Sequence, residues 1–122
     1  MKTRIPFSAL LWLAFLAMPL AAHHSVSAEF DVAKPVTLSG VVSNVDWMNP
    51  HTYVFVDVKE GSAHAVRTWA CELESPNVLA RRGFTRQSLK VGMTVHIVGT
   101  RAKDGSFKVH TETITVDNPP AF

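Results

Sequence analysis

The stretch that decides the fold is Val36-Thr37-Leu38-Ser39-Gly40-Val41-Val42-Ser43-Asn44-Val45-Asp46-Trp47. Apolar and polar residues alternate through it with a period of two, which predicts a β-strand. The phase slips at Gly40, because Val36 and Leu38 share one parity, while Val41, Val45 and Trp47 share the other. A glycine at a phase change predicts a bulge or a sharp bend, which lets one strand serve two sheets.

Four further strands and one helix are predicted downstream of this strand. The strands cover Tyr53 to Val58, Val66 to Leu73, Met93 to Gly99 and Phe107 to Val116. Between the third and fourth strands, Ser75-Pro76-Asn77 supplies an N-cap and an early proline, and Gly83 ends a short helix. This order is typical of an OB-fold, so we predict a mainly β protein: a small five-stranded OB-like barrel with one short helix between strands 3 and 4.

Residues 1–22 have the layout of a signal peptide. Basic residues come first, an apolar run extends from Phe7 to Met18, and small residues lead up to Ala22. The run is shorter than the roughly 20 apolar residues that a bilayer crossing needs, so cleavage is predicted rather than anchoring. A cut after Ala22 is favoured, with Ala28 as the alternative. The protein is therefore expected to be periplasmic or secreted, without a stable membrane anchor after cleavage.

Cleavage at Ala22 leaves one small domain with almost balanced charge. An N-terminal arm over 23–35, the barrel domain over 36–116 and a C-terminal tail over 117–122 are predicted. The full chain has a formal net charge of +2, and both surplus basic residues belong to the signal. A protein that binds nucleic acid needs a basic stripe, so nucleic acid is excluded as a partner.

Cys71 is the chain's one cysteine, so it has no partner for an internal disulfide. It shares a predicted strand face with Trp69 and Leu73. Free cysteine is among the most buried residue types, which favours an unreactive thiol in the core. The alternative for an exported protein is a reactive thiol or an intermolecular bridge.

Two adjacent histidines, His23 and His24, would open the mature chain. The amine and ring of an N-terminal histidine can chelate copper, and a further imidazole completes a nitrogen set that suits Cu(II). His51 or His110 could supply that ring. The predicted metal set is therefore His23, His24 and His51, with copper as the metal. The alternative is that the pair is solvated and merely follows the cleavage site.

Trp47, His51 and Tyr53 surround the turn between the first two strands. In OB-folds this loop borders the ligand-binding face, so the three side chains are predicted to form a stacking and hydrogen-bonding edge. The structural alternative is that Trp47 closes the end of the barrel and His51 caps the turn.

Arg81, Arg82 and Arg86 concentrate positive charge around the end of the predicted helix. Guanidinium groups bind carboxylates and phosphates through paired hydrogen bonds, which makes these residues candidates for holding a ligand or partner. A helix C-terminus also favours cations without any ligand. Glu72 and Glu74 are expected to be surface partners for the arginines.

Motifs of known enzymes are absent from the sequence. Ser25, Ser75 and Ser88 lack the context of a nucleophile elbow, and no paired-carboxylate or close Cys/His signature occurs. We therefore predict no enzyme activity and no catalytic residue. The predicted function is an exported binding module for a small ligand or a periplasmic protein partner. Copper binding is the alternative.

The chain resembles a family of small exported bacterial proteins of uncharacterised function, and the resemblance covers nearly all of the mature chain. It implies export but brings no activity, ligand or catalytic residue. Members commonly have tryptophan where this chain has Phe84. The shared pattern comprises His23-His24-Ser25, Lys34-Pro35-Val36-Thr37-Leu38-Ser39-Gly40, Trp47-Met48-Asn49-Pro50-His51, Ser75-Pro76-Asn77, Arg81-Arg82-Gly83-Phe84-Thr85 and Arg101-Ala102-Lys103-Asp104-Gly105.

Overall fold

The computed structural model describes residues 26–62 and 65–117. The predicted signal peptide, His23, His24, His64 and most of the predicted C-terminal tail lie outside the described residues. The elements are β1 (Phe30–Asp46), β2 (Tyr53–Glu60), β3 (Ala65–Glu72), α1 (Pro76–Arg81), β4 (Thr94–Ala102) and β5 (Lys108–Val116). The predicted mainly β class is confirmed, and so is the short helix between strands 3 and 4.

The five strands form one sheet that closes into a ring in the order β1-β2-β3-β5-β4. All neighbouring strands are antiparallel except β3 and β5, which run parallel. The parallel ladder is short and joins Ala70–Glu72 to Lys108–His110. It brings the end of β3 beside the beginning of β5, and the candidate site lies at this junction.

β1 is long enough to pair with two strands in succession. It pairs with β4 as far as Val41 and with β2 from Val41 onward. The register between β1 and β2 shifts between Val42 and Asn44, so the irregularity lies beyond Gly40. Gly40 serves a related purpose, because a Cβ atom there would collide with the carbonyl oxygen of Asp57. The missing side chain therefore lets β1 and β2 approach where β1 changes partner.

β1 begins at Phe30 rather than at Val36, so part of the predicted N-terminal arm belongs to the sheet. Phe30 pairs with Ala102 and is 1% exposed. The backbone N–H of Lys103 also donates to the Glu29 carbonyl oxygen at 2.9 Å. A register shift between Asp31 and Pro35 interrupts the alternation, which explains why the sequence pattern does not reveal this part of the strand.

The core lies inside the ring and is built from the inward residues of every strand, with contributions from α1 and the segment after it. Cys71 belongs to it with no exposed surface, as predicted. Burial raises the pKa of its thiol to about 12, so the thiolate is scarce at neutral pH. The buried cluster comprises Leu38, Val42, Val54, Val56, Trp69, Cys71, Leu73, Leu79, Leu89, Val95, Ile97 and Val109.

Candidate functional site

A group of polar side chains meets on the outer face of β2, β3 and β5. Successive strand residues point to opposite faces, so the neighbours of core residues project outward here. Tyr53 of β2 lies directly opposite Glu72 of β3 in the strand register. Lys108, at the start of β5, reaches the same carboxylate from the parallel strand. Together with Glu29 and His51, these residues are called the Glu72 cluster below.

Glu72 is the centre of this cluster and is only 5% exposed. Its Oε2 atom accepts a hydrogen bond from the Tyr53 hydroxyl at 3.0 Å and lies 3.2 Å from the Lys108 ammonium. Its Oε1 atom lies 3.5 Å from Nδ1 of His51. A carboxylate withdrawn from water is costly unless it is paired and hydrogen-bonded, and these three contacts meet that requirement.

Lys108 is enclosed by acidic and aromatic groups. Its Nζ atom lies 2.5 Å from Oε1 of Glu29, and 5.4 Å and 5.5 Å from the ring centroids of Phe30 and Tyr53. Burial alone would lower its pKa, but hydrogen bonds to Glu29 and Glu72 outweigh burial and raise the pKa above its usual value. Lys108 is therefore a fixed cation, further stabilised by the two ring faces.

The same surroundings shift the pKa of Tyr53 in the direction expected for an acid. Its pKa is raised, first by burial and then by the hydrogen bond to Glu72. Both effects disfavour the phenolate, because it would be poorly hydrated and would lie beside a carboxylate. The hydroxyl therefore remains a hydrogen-bond donor throughout the physiological pH range.

His51 is held in one orientation by the backbone. Its Nδ1 atom lies 3.2 Å from the Leu73 carbonyl oxygen. A carbonyl oxygen can only accept, so Nδ1 carries the hydrogen, and Nε2 of the neutral ring keeps a free lone pair. Metal-binding histidines are commonly oriented in this way, through a hydrogen bond from the opposite ring nitrogen.

The cluster lines a cavity of about 140 Å³. The carboxylates of Glu29 and Glu72 line it, and the ammonium of Lys108 pairs with both. The cluster therefore carries one negative charge in excess when His51 is neutral. Aromatic rings form part of the wall. Such a cavity accepts a small positively charged or hydrogen-donating group. Its lining residues are Val26, Glu29, Phe30, His51, Tyr53 and Glu72.

Only two of the three residues of the predicted binding edge lie at this cavity. His51 and Tyr53 line the cavity, whereas Trp47 is not among its lining residues. Trp47 is half-buried against the core, and the guanidinium of Arg86 lies 5.5 Å from its ring centroid. This packing agrees with the alternative interpretation, in which Trp47 helps to close the end of the sheet.

Of the two glutamates predicted to pair with the arginines near α1, only Glu74 does so. Arg82 forms a two-pronged ion pair with Glu74, at 2.7 Å and 3.1 Å, while Arg81 is exposed in the last helical turn. The predicted surface pairing of Glu72 with these arginines is wrong, because Glu72 is buried and pairs with Lys108. Its outward parity was readable from the sequence, but its burial under the N-terminal segment was not.

A second cavity, of about 200 Å³, lies between α1 and β5. Leu79 and Phe84 form part of its apolar wall, and the ion pair between Arg82 and Glu74 borders it. Arg82 is therefore already neutralised within the chain. This lowers its value as a free clasp for an acidic ligand.

Sequence reasoning also missed a linked set of side chains on the opposite outer face. Ser39 and His96 face each other across β1 and β4, and His96 reaches Asp117 just after β5. His96 is half-exposed. Only the strand register reveals its two partners.

Comparison with known families agrees with the predicted resemblance. Residues 11–111 match a family described as a family of unknown function, DUF6152, and the chain belongs to this family. No curated protein is similar enough to count as a match. Within residues 26–62 and 65–117, no helix is long and apolar enough to cross a membrane. The same residues contain no group of three acidic, histidine or cysteine side chains placed to hold a metal ion.

Proposed function

We propose that this protein is an exported OB-like binding module whose ligand site is the cavity of the Glu72 cluster. The strand order β1-β2-β3-β5-β4, with a helix between β3 and β4, supports the OB-like assignment. In OB-folds the face formed by strands 2 and 3 and the loop between strands 1 and 2 receive ligands. His51 lies in the loop between β1 and β2, Tyr53 lies on β2 and Glu72 lies on β3. The layout of residues 1–22 supports a periplasmic or secreted location.

The observation that carries the proposal is the nearly buried carboxylate of Glu72 at the edge of a cavity. A buried ion pair usually contributes no more to stability than apolar residues of the same size. Its cost is therefore better explained by an interaction with a ligand than by a role in folding. Titratable groups in such surroundings are common at binding sites.

The ligand group that fits this cavity is small and cationic or rich in hydrogen-bond donors. The excess negative charge attracts such a group, and Glu29 and Glu72 in the lining offer carboxylate oxygens as hydrogen-bond acceptors. The volume is below the roughly 300 Å³ of ordinary small-molecule pockets. The ligand is therefore a very small molecule, or the cationic end of a larger partner such as a protein.

Two-dimensional amide NMR with defined probes tests this proposal. Methylammonium, butylammonium and arginine should shift amide signals around His51 and Tyr53, and acetate should not. A double variant, His51→Ala with Tyr53→Phe, should lose the shifts. Arg86→Ala lies outside the cavity and should keep them. Unchanged shifts in a folded double variant, or shifts centred on Trp47, would contradict the assignment of the site.

Copper binding at the mature N-terminus is the second candidate function. Val26 lines the same cavity as His51, so His23 and His24 lie two or three residues from it along the chain. An extended chain spans about 3.5 Å per residue, which brings both histidines within about 10 Å of Val26. The free Nε2 atom of His51 and two further imidazoles match the nitrogen ligands that Cu(II) prefers.

Two measurements test copper binding: the identity of the mature N-terminal residue and the Cu(II) affinity. Mass spectrometry of the exported protein should show a chain beginning at His23. One beginning at Glu29 would lack both histidines and rule the site out. With His23 first, one extra alanine before it should weaken Cu(II) binding by separating the amine from the ring, and so should His51→Ala. Equal affinity in all three proteins would indicate unspecific histidine binding.

A further inference from the structure

Three side chains form a continuous hydrogen-bonded chain on the outer face of β1, β4 and β5. Ser39 lies opposite His96 in the strand register, and its Oγ atom is 2.7 Å from Nδ1 of the ring. On the other side of the ring, Nε2 lies 2.8 Å from Oδ1 of Asp117. The backbone N–H of Asp117 donates to the Thr94 carbonyl oxygen at 3.0 Å, which anchors the backbone that carries the carboxylate.

The chemistry of the three groups determines where the protons lie. The carboxylate of Asp117 can only accept, so Nε2 of His96 carries the hydrogen. In the neutral ring, Nδ1 then has the free lone pair, and the hydroxyl of Ser39 donates to it. A serine hydroxyl, a basic ring nitrogen and an orienting carboxylate are therefore connected in series. Compared with serine proteases, the two ring nitrogens have exchanged roles.

We propose that Ser39 is a nucleophile for acyl transfer from activated esters, with His96 as its general base and Asp117 as a positioning residue. As Oγ of Ser39 bonds to the ester carbonyl carbon, its proton passes to Nδ1 of His96. The bond to the leaving oxygen then breaks, its electron pair stays on that oxygen, and His96 returns the proton to it. Water, activated by the same base, hydrolyses the acyl-serine and restores the hydroxyl.

The openness of the site indicates which esters it takes. The side chains of His96 and Asp117 are 42% and 49% exposed, so an acyl donor approaches directly from solvent. An oxyanion formed on this exposed face would be solvated by water rather than held by fixed donors in a dry pocket, so stabilisation of that charge is weak. The substrate class is therefore small esters with a good leaving group, such as aryl esters. This site is separate from the Glu72 cavity, and its failure would leave the proposed binding function untouched.

The reaction with p-nitrophenyl acetate tests the proposal on the full mature chain. We expect release of p-nitrophenolate together with an acetyl group on Ser39, located by tandem mass spectrometry of a rapidly quenched digest. Ser39→Ala should abolish that adduct. His96→Ala should slow its formation by about 100-fold, the usual contribution of a general base. Asp117→Asn should also slow it, because an amide can donate to the ring and disturb the tautomer.

Ser43→Ala provides the matched control, because Ser43 is an exposed serine on the same strand whose hydroxyl donates to the Phe55 carbonyl oxygen. It should acetylate Ser39 at the rate of the unaltered protein. Circular dichroism verifies that each variant is folded. Absence of acetyl-Ser39, or its formation at an equal rate in His96→Ala, would overturn the proposal. The three residues would then serve only to link the strands.

Discussion

The two polar groups on the outside of the sheet have similar hydrogen-bond lengths but very different access to water. In the Glu72 cluster, the central side chain is 7% exposed, and residues before β1 line the same cavity. In the other group, His96 and Asp117 are 42% and 49% exposed. Both arise from the same alternation of inward and outward residues. The difference shows that a short N-terminal segment turns one outer face into a cavity and leaves the other open.

Access to water also sets the energies of the two groups. Charges withdrawn from water interact strongly and are costly to leave unpaired, whereas exposed pairs are screened and contribute little. We therefore expect removal of one charge from the Glu72 cluster to destabilise the fold more than loss of a group from the exposed set. The set of Ser39, His96 and Asp117 contributes little to stability. Substitutions in it should change the reactivity of Ser39 rather than the free energy of unfolding.

Glu72→Gln should have the largest effect on stability. It removes the buried negative charge and leaves Lys108 with only Glu29, so the free energy of unfolding should fall by about 2 to 3 kcal/mol. Urea unfolding followed by circular dichroism measures the change. The matched control is Glu74→Gln, which breaks the ion pair with Arg82. The side chains of Glu74 and Arg82 are 43% and 59% exposed. It should cost about 0.5 kcal/mol. Equal losses in the two variants would contradict the contrast between the buried and the exposed pair.

Titration of Tyr53 should show the same contrast without perturbing the fold. It is the chain's only tyrosine, so absorbance of the phenolate reports on this residue alone. Its native pKa should exceed the usual 10.0, because burial and the hydrogen bond to Glu72 both raise it. In guanidinium chloride the pKa should return to the usual value. In Glu72→Gln, part of the native shift should disappear. A native value at or below 10.0 would mean that the cluster is open to water.

The raised pKa of Tyr53 has a consequence for stability at high pH. Above pH 10 the unfolded chain loses the phenolic proton first, while the folded protein keeps it. The contribution of Tyr53 to stability is therefore fully present below the unfolded pKa and is lost as pH rises through the folded pKa. Tyr53→Phe should remove this component of the alkaline decline in urea unfolding experiments. A decline identical in both proteins would assign the loss to other groups.

His96→Ala should have a much smaller effect on stability than Glu72→Gln. Its two hydrogen bonds lie on an exposed face, where such contacts contribute about 1 kcal/mol or less. The same urea experiment measures this change beside that of Glu72→Gln. A loss as large as that of Glu72→Gln would show that the open face is held together by this network, and the comparison between the two faces would fail.

Much of the fold could be predicted from local patterns. The period of two places Val54 and Val56 on one strand face, and it places Cys71 on the face of Trp69 and Leu73. Val54, Val56 and Cys71 have no exposed surface. The Ser75-Pro76 pair correctly placed the start of α1. The position of the β1 irregularity could not be predicted, because the shift between Val42 and Asn44 depends on how β1 pairs with β2.

The candidate site was only half readable from the sequence. His51 and Tyr53 could be proposed as site residues because they flank the turn between the first two strands, which borders the ligand-binding face in OB-folds. Both line the cavity. Lys108 and Glu72 could not be proposed, since β3 and β5 meet through a parallel ladder between distant parts of the chain. Ser39 and His96 are 57 residues apart and come together only through the register of β1 and β4.

By itself, the sequence determined the strands, the short helix and the side of the sheet to which most residues point, because these follow from local alternation and capping. Only the tertiary structure decided which outward residues became neighbours and which of them lost contact with water. Closure of the ring sets the register between distant strands, and the segment before β1 then covers one face. Both depend on the packing of the whole chain rather than on any local pattern.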